Sequence, residues 1–263
     1  MKLTVKDLAF AYEGQSELWS NVNFTVAPGD IFCIMGANGC GKSTLIRCLI
    51  GFLQPTHGTV QLIENSAAIY EPVADHFEFT KRIGYVPQMQ NTAYAFSVRD
   101  YVVMGRAPHL GLFAKPSKSD YELTDQILNE MHIYDIKNRS FNTLSGGQQR
   151  QAVIARAIVQ QPEIIIMDEP VNHLDYGNQY RVIDMIEKLA QRNIAVILTT
   201  HAPDHALYFN ENVGVMLNKT FTVGKASEII TEKLLHQLYN LNVKIIDVPD
   251  MHRKVCVAQK QEF

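Results

Sequence analysis

The sequence predicts an α/β fold organised on a parallel sheet, and three observations carry this. Consecutive apolar residues at 164–167, 194–198 and 213–217 are what strands covered on both faces require. Segments with helical spacing lie between such runs, the alternation that winds a parallel sheet. Residues 31–35 form a further short apolar strand, which runs into a glycine-rich turn and then into a helix over 44–50.

The elements follow in order. Leu3, Val5, Leu8 and Phe10 mark a strand over 2–10. Val22, Phe24 and Val26 alternate with polar residues, as in a strand with one wet face. Pro28-Gly29-Asp30 is a turn. Residues 58–63 and 83–86 read as strands, the second ending at Pro87-Gln88. Residues 64–80 are expected to be strands and loops at the sheet margin. Ser97 opens a helix with Asp100 as its capping-box partner. Residues 105–118, rich in Gly, Pro and Lys, are expected to form a surface loop. Leu123, Ile127, Leu128 and Met131 then fall at helical spacing. Further helices are expected over 146–159, broken by Pro162, and over 180–191. Helical pieces at 227–230 and 231–241 precede strands at 243–248 and 255–257.

The 263 residues suffice for a full α/β core with an inserted subdomain. A net charge of −3 with mixed signs carries no nucleic-acid signature, so no nucleic-acid partner is expected. Cys33, Cys40, Cys48 and Cys256 show no metal spacing and favour a reducing compartment over a disulfide framework. No signal core opens the chain and no apolar run reaches a membrane span. A soluble chain is expected, one that reaches a membrane only by docking on another chain.

Gly36-Ala37-Asn38-Gly39-Cys40-Gly41-Lys42-Ser43-Thr44 fits the phosphate-binding pattern G-x-x-x-x-G-K-[ST]. A triphosphate needs many donors at close range, and glycines let backbone N–H groups converge on it. Lys42 adds a positive charge for the β- and γ-phosphates, Ser43 a hydroxyl for Mg²⁺, and the following helix its free N-terminal N–H groups. The strand at 164–167 delivers Asp168 and Glu169 at its C-terminal end, where open α/β sheets bind ligands. Asp168 is placed to hold Mg²⁺, directly or through water, and Glu169 to orient and deprotonate an attacking water. Leu144-Ser145-Gly146-Gly147-Gln148 reads as a second anion-binding helix start or, taken alone, as an ordinary cap. His201 and His205 are four residues apart, but Pro203 between them argues against a helical metal pair.

The phosphate loop, the Leu144–Gln148 pentapeptide and the Asp168–Glu169 strand about twenty residues later resemble the ATP-binding-cassette (ABC) transporter ATPases, in family order across residues 12–201. The resemblance implies a P-loop NTPase (RecA-like) core, an N-terminal antiparallel β subdomain and an inserted α-helical subdomain bearing the signature. One cassette would span 1–263: β subdomain and phosphate loop in 1–88, helical subdomain in 89–150, the rest of the core in 151–220, C-terminal elements in 221–263. It implies that Tyr12 stacks on adenine, that residues 36–44 hold ATP, and that Gln88 senses Mg²⁺ and the γ-phosphate. His201 would contact the γ-phosphate. Two chains would pair head to tail, so that Ser145, Gly146, Gly147, Gln148 and Asp175 meet the partner's ATP.

Ser97-Val98-Arg99-Asp100-Tyr101-Val102-Val103-Met104-Gly105-Arg106-Ala107-Pro108-His109, with Ser117-Lys118-Ser119-Asp120, resembles the subfamily that imports metal chelates, namely ferric siderophores, haem and cobalamin, with a molybdate or tungstate branch. This implies an insert between residues 89 and 143 that docks a permease, indirect work with a substrate-binding protein, and a place at the cytoplasmic face of the membrane. An exporter subunit, a non-transport ABC ATPase and a regulatory module without turnover are the alternatives. Three departures stand out: Cys40 for the usual Ser, Val171-Asn172-His173 for Thr-Ser-Ala, and a poor match over 64–80. A thiol beside a helix N-terminus is expected to have a lowered pKa at Cys40.

Overall fold

The computed structural model describes residues 1–64, 68–88, 94–111, 113–172, 174–251 and 253–259. Its centre is a six-stranded sheet. Strands β1 (Lys2–Phe10), β2 (Trp19–Val26), β4 (His57–Glu64) and β5 (Ala68–Tyr70) form a separate antiparallel sheet in the order β2-β1-β4-β5. Between these in sequence come β3 (Ile31–Gly36) and α1 (Lys42–Leu49). After them follow α2 (His76–Arg82) and β6 (Ile83–Val86), then α3 (Val98–Val103), α4 (Lys118–Glu130) and α5 (Gly146–Val159). The chain continues through β7 (Ile164–Met167), α6 (Tyr176–Gln191), β8 (Ala195–Thr200), α7 (Pro203–Phe209), β9 (Asn212–Leu217) and β10 (Thr220–Lys225). It ends with α8 (Ala226–Ile229), α9 (Glu232–Tyr239) and the hairpin β11 (Val243–Val248) and β12 (Arg253–Ala258).

The central order is β10-β9-β3-β8-β7-β6, parallel from β9 to β6, with β10 antiparallel on the edge. The period of two explains the continuous apolar runs. Cys33, Met35, Ile165, Met167, Val196 and Leu198 face a core shared with α5, α6 and α7. Phe32, Ile34, Ile164, Ile166 and Ile197 face the other core, shared with α1 and the antiparallel sheet. Ile165 and Ile166 are both fully buried, on opposite faces. Truncating either to Ala is expected to cost roughly 2–5 kcal/mol.

Three expectations change. The stretch 64–80 holds a helix as well as a strand: α2 buries only Phe79, so no apolar period announces it. Residues 65–67 lie outside the described set. The loop expected at 105–118 begins as a 3-10 helix, Met104–His109, packed so closely on α5 that a methyl group on Gly105 would overlap the Arg156 carbonyl. The capping box expected at Ser97 is half realised: Ser97 accepts from the Asp100 N–H, and its hydroxyl donates to the Asp100 carboxylate at 2.6 Å. The complete boxes sit instead at Ser117–Asp120 and Ser145–Gln148. The start of the insert, residues 89–93, lies outside the described set.

Candidate nucleotide site

Parallel strands deliver their C-terminal ends to one edge, so the turns after β3, β6, β7 and β8 gather there. Gly39 and Gly41 take φ of +80° and +101°, and Gly41 starts α1 with no side-chain cap. A Cβ on Gly41 would stand 2.8 Å from Leu18 Cδ2 and Trp19 Cδ1, so both the turn and the buried Trp19 exclude a side chain. The loop borders an open cleft of about 440 Å³. Asn38, Gly39, Gly41, Lys42, Ser43 and Thr44 line one side, Tyr12 stands at the rim, and Gln88, Glu169 and His201 face them. Gly36, Ala37 and Cys40 do not line the cleft. Lys42 Nζ donates to the carbonyls of Gly36 and Ala37 at 2.9 and 3.1 Å. Tyr12 is 42 % exposed, packs edge-on to Phe10, and its hydroxyl lies 3.0 Å from Thr44 Oγ1.

Glu169 is where the strand ends converge. Its Oε2 accepts from Gln88 Nε2 at 2.9 Å and from Asn172 Nδ2 at 2.8 Å. Its Oε1 lies 3.8 Å from Lys42 Nζ and 3.6 Å from His201 Nδ1. The residue takes φ +45°, a left-handed conformation costing roughly 1–2 kcal/mol outside glycine. Its N–H donates to Thr199 Oγ1 at 2.8 Å, and that hydroxyl donates to Asp168 Oδ1 at 2.7 Å. Asp168 is buried beneath the cleft and does not line it. Ser43, Gln88 and Asp168 are hard oxygen donors of the kind that suits Mg²⁺ with waters and phosphate oxygens completing its shell.

Ser145, Gly146, Gly147, Gln148 and Asp175 are brought together elsewhere and line no part of this cleft. Ser145 caps α5 and Asp175 caps α6. A methyl group on Gly147 would stand 2.6 Å from Asn178 Nδ2, the amide that bonds Asp175. The bare glycine therefore lets the two helix starts meet along one edge. The Asn178 backbone N–H, then its side-chain amide, hold the Asp175 carboxyl below the usual range.

One expectation is overturned. Burial pushes the Cys40 thiol up, more than the charge of Lys42 pulls it down. Its sulfur is wedged against Gly36, where an added methyl would lie 2.6 Å away. His201 and His205 form no pair: Pro203 begins α7, His201 precedes that helix, and His205 Nδ1 lies 3.1 Å from Thr200 Oγ1. Burial holds His205 below the ordinary imidazole value. Among the described residues, no group of three or more His, Cys, Asp and Glu is placed to hold a metal ion. His173, in the segment that departs from the family pattern, lies outside the described set.

Three contributors escape a reading by spacing. Thr199 accepts from the Glu169 N–H, and Asn172 donates to both its carboxylate and its carbonyl. Arg150, buried on α5, donates to the carbonyls of Pro87 at 2.5 Å, Pro170 at 2.8 Å and Asp168 at 3.3 Å. Burial pulls its guanidinium down to about 10, still charged at neutral pH.

A glycine-rich phosphate loop after a central strand, facing a carboxylate pair on the end of a second strand, defines a P-loop nucleoside triphosphatase. The ABC transporter family model matches residues 19–172. An ABC transporter ATP-binding protein of Haemophilus influenzae is 37 % identical over 94 % of this chain and 92 % of its own length. A molybdate import ATP-binding protein of the same organism is 36 % identical over 91 % and 88 %. A Helicobacter pylori protein named for iron chelatin transport is 31 % identical over 94 % and 96 %. A solved structure described as a metal-chelate type ABC transporter, inward-facing, superposes with a TM-score of 0.86 at 32 % identity, covering 98 % of each chain. The chain belongs to the ABC transporter family; it is an ATP-binding subunit and an ATPase.

Proposed function

We propose that the subunit powers import of a metal chelate of the ferric siderophore, haem or cobalamin kind. ATP lies in the cleft, its adenine against the exposed face of Tyr12 and its phosphates on the N–H groups of residues 36–44. Lys42 turns its ammonium toward the β- and γ-phosphates. Ser43, Gln88 and Asp168, directly or through water, would hold Mg²⁺, which would supply charge neutralisation at the phosphates. Glu169 takes the proton of the attacking water through Oε1, while Gln88 and Asn172 hold Oε2. His201, at the same oxygen, contacts the γ-phosphate. The carrying observation is the Glu169 carboxylate, fixed by Gln88 and Asn172 and set between Lys42 and His201 across from the phosphate loop.

The edge formed by Ser145–Gln148 and Asp175 serves the ATP of a second copy, head to tail, which accounts for its standing outside the cleft. A groove of about 440 Å³ between Phe52 and Tyr85 on one side and Met104, Pro108 and Arg156 on the other receives the permease. Phe52 and Tyr85 belong to 1–88, Met104 and Pro108 to 89–150 and Arg156 to 151–220, so in the proposed division of the single cassette into 1–88, 89–150, 151–220 and 221–263 the docking groove lies at a subdomain boundary. Among the described residues no helix is long and apolar enough to cross a membrane, so attachment at the cytoplasmic face runs through that partner. A substrate-binding protein acts only through the permease. A molybdate or tungstate cargo is the second reading, favoured by the 36 % identity to the molybdate import relative.

Glu169→Gln keeps the shape and loses the base. ATP affinity should stay, and turnover should fall on the order of 10²–10⁴-fold. Parental turnover in that variant removes Glu169 from the role. For the cargo, the reconstituted complex is assayed with loaded binding proteins: stimulation by a ferric-chelate binder supports the first reading, by an oxyanion binder the second.

A further inference from the structure

Arg150 occupies an expensive position. Its guanidinium is buried, and among the described residues it forms no ion pair within 4.0 Å; what surrounds it is backbone carbonyls. Burying a charge without a counter-ion is unfavourable unless every donor is used, and a neutral side chain would fill the same space at less cost. The carbonyls it holds are not a random set. Nε donates to Pro170 O and Nη2 to Asp168 O, the residues on either side of Glu169. Nη1 donates to Pro87 O and, at 3.4 Å, to Gln88 O. Glu169 is left-handed at +45° and accepts from Gln88, so the backbone on both sides of that contact is clamped by one rigid, planar group. That group stands on α5, four residues after Gly146, on the helix whose start carries the signature.

We infer that Arg150 is a positioning residue for hydrolysis. It ties the carbonyls of Asp168 and Pro170, the residues on either side of Glu169, and those of Pro87 and Gln88, to the signature helix. A shift of the α5 N-terminus therefore carries the carboxylate and the glutamine with it. The inference rests on Glu169 and Gln88 acting as proposed above, and it adds a mechanical link between the edge that meets a second nucleotide and the chain's own cleft.

The test is a cycle on the full chain. Arg150→Lys keeps the charge but loses the fork, since an ammonium cannot span carbonyls on two separate turns. Melting and ATP affinity are measured first, then kcat and KM, in the parental and the Glu169→Gln backgrounds. The expected result is ATP affinity within about twofold and a kcat lower by about 10–100-fold, the size of effect an ångström of misplacement produces. In the Glu169→Gln background the same change should lower the residual rate less than about twofold, because the group being positioned is already gone. Parental kcat in Arg150→Lys, or an equal loss in both backgrounds, overturns the inference. Should Arg150→Lys not fold, Pro170→Ala gives the reading, since it leaves the guanidinium in place and loosens one carbonyl it holds. A severalfold kcat loss at parental affinity supports the link, and parental kcat refutes it. If Glu169→Gln alone turns over at the parental rate, the base assignment fails by itself. A kcat loss in Arg150→Lys at parental affinity would then still stand for Arg150.

Discussion

The helix starts of α3, α4 and α5 and the start of α1 are built on opposite principles. Ser97, Ser117 and Ser145 cap α3, α4 and α5, each accepting from the N–H three residues on. Ser117 and Ser145 complete the reciprocal box with Asp120 and Gln148. The core's α1 starts at Gly41 with no side-chain cap at all. A cap satisfies one of four orphan donors, so the uncapped α1 keeps its whole first turn for an anion. The signature helix lies between these extremes. Its Ser145 hydroxyl accepts from Gln148 N at 3.4 Å and, among the described residues, donates to no carboxylate of its own turn as those of Ser97 and Ser117 do. The open start of α1 borders the chain's own cleft, and the loosely closed start of α5 suits the proposed site on a second chain.

Closing the open start should have the largest effect. Gly41→Ala sets a methyl against Leu18 and Trp19 and strains a φ of +101°. Together these cost roughly 2–5 kcal/mol in the loop conformation, which lowers ATP affinity on the order of 10²–10³-fold. Calorimetric titration showing affinity within threefold of the parent would remove the contrast. Next comes the loosely closed start. Ser145→Ala should leave ATP affinity alone and reduce turnover on the order of 10²-fold, the usual consequence of losing one phosphate-directed donor. A lower melting temperature with unchanged kcat would reduce Ser145 to a structural cap.

This contrast also separates what the sequence discloses from what it hides. The phosphate loop, the buried strands at 164–167 and 213–217 and the helix at 146–159 follow from local spacing, and the structure keeps them within a residue or two. α7 is concealed because Pro203 reads as a breaker, whereas it occupies the first helical turn, where a missing N–H costs nothing. β10 buries little on the sheet edge and so shows no apolar run. Arg150 and Thr199 act through a carbonyl or an N–H that any residue could supply, so residue type gives no sign of them. Cys40 misleads for the opposite reason. Its neighbours in sequence, a lysine and a helix start, lower a thiol pKa, while its neighbours in space bury it and raise it. At pH 7 maleimide should modify Cys40 more slowly than a free thiol in solution, because the raised pKa leaves less thiolate. The rate should still be climbing at pH 9. A rate equal to the free thiol, levelling below pH 8, would place the sulfur in the cleft after all.

The smallest effect belongs to the firmly closed start of α4, where no change in activity is expected. The Ser117 hydroxyl and N–H donate to Asp120 Oδ2 at 2.7 and 2.9 Å, and Arg106 Nε to Oδ1 at 2.8 Å. These contacts, Ser117 first, hold the Asp120 carboxyl down to about 2. A depressed carboxyl stabilises the fold in full above its unfolded value near 4, and the contribution drains away as pH falls from about 4 through about 2. The amount is at most about 3 kcal/mol, since each of the two tenfold changes in proton affinity is worth about 1.4 kcal/mol. Denaturant unfolding between pH 2 and pH 6 should therefore show a slope that Asp120→Asn flattens, with ATPase activity at pH 7 unaltered. If the slope persists in Asp120→Asn, the box at α4 is not what acid undoes. If activity falls instead, the insert helices are not merely capped, and the division between open and closed helix starts would have to be redrawn to include a functional end at α4.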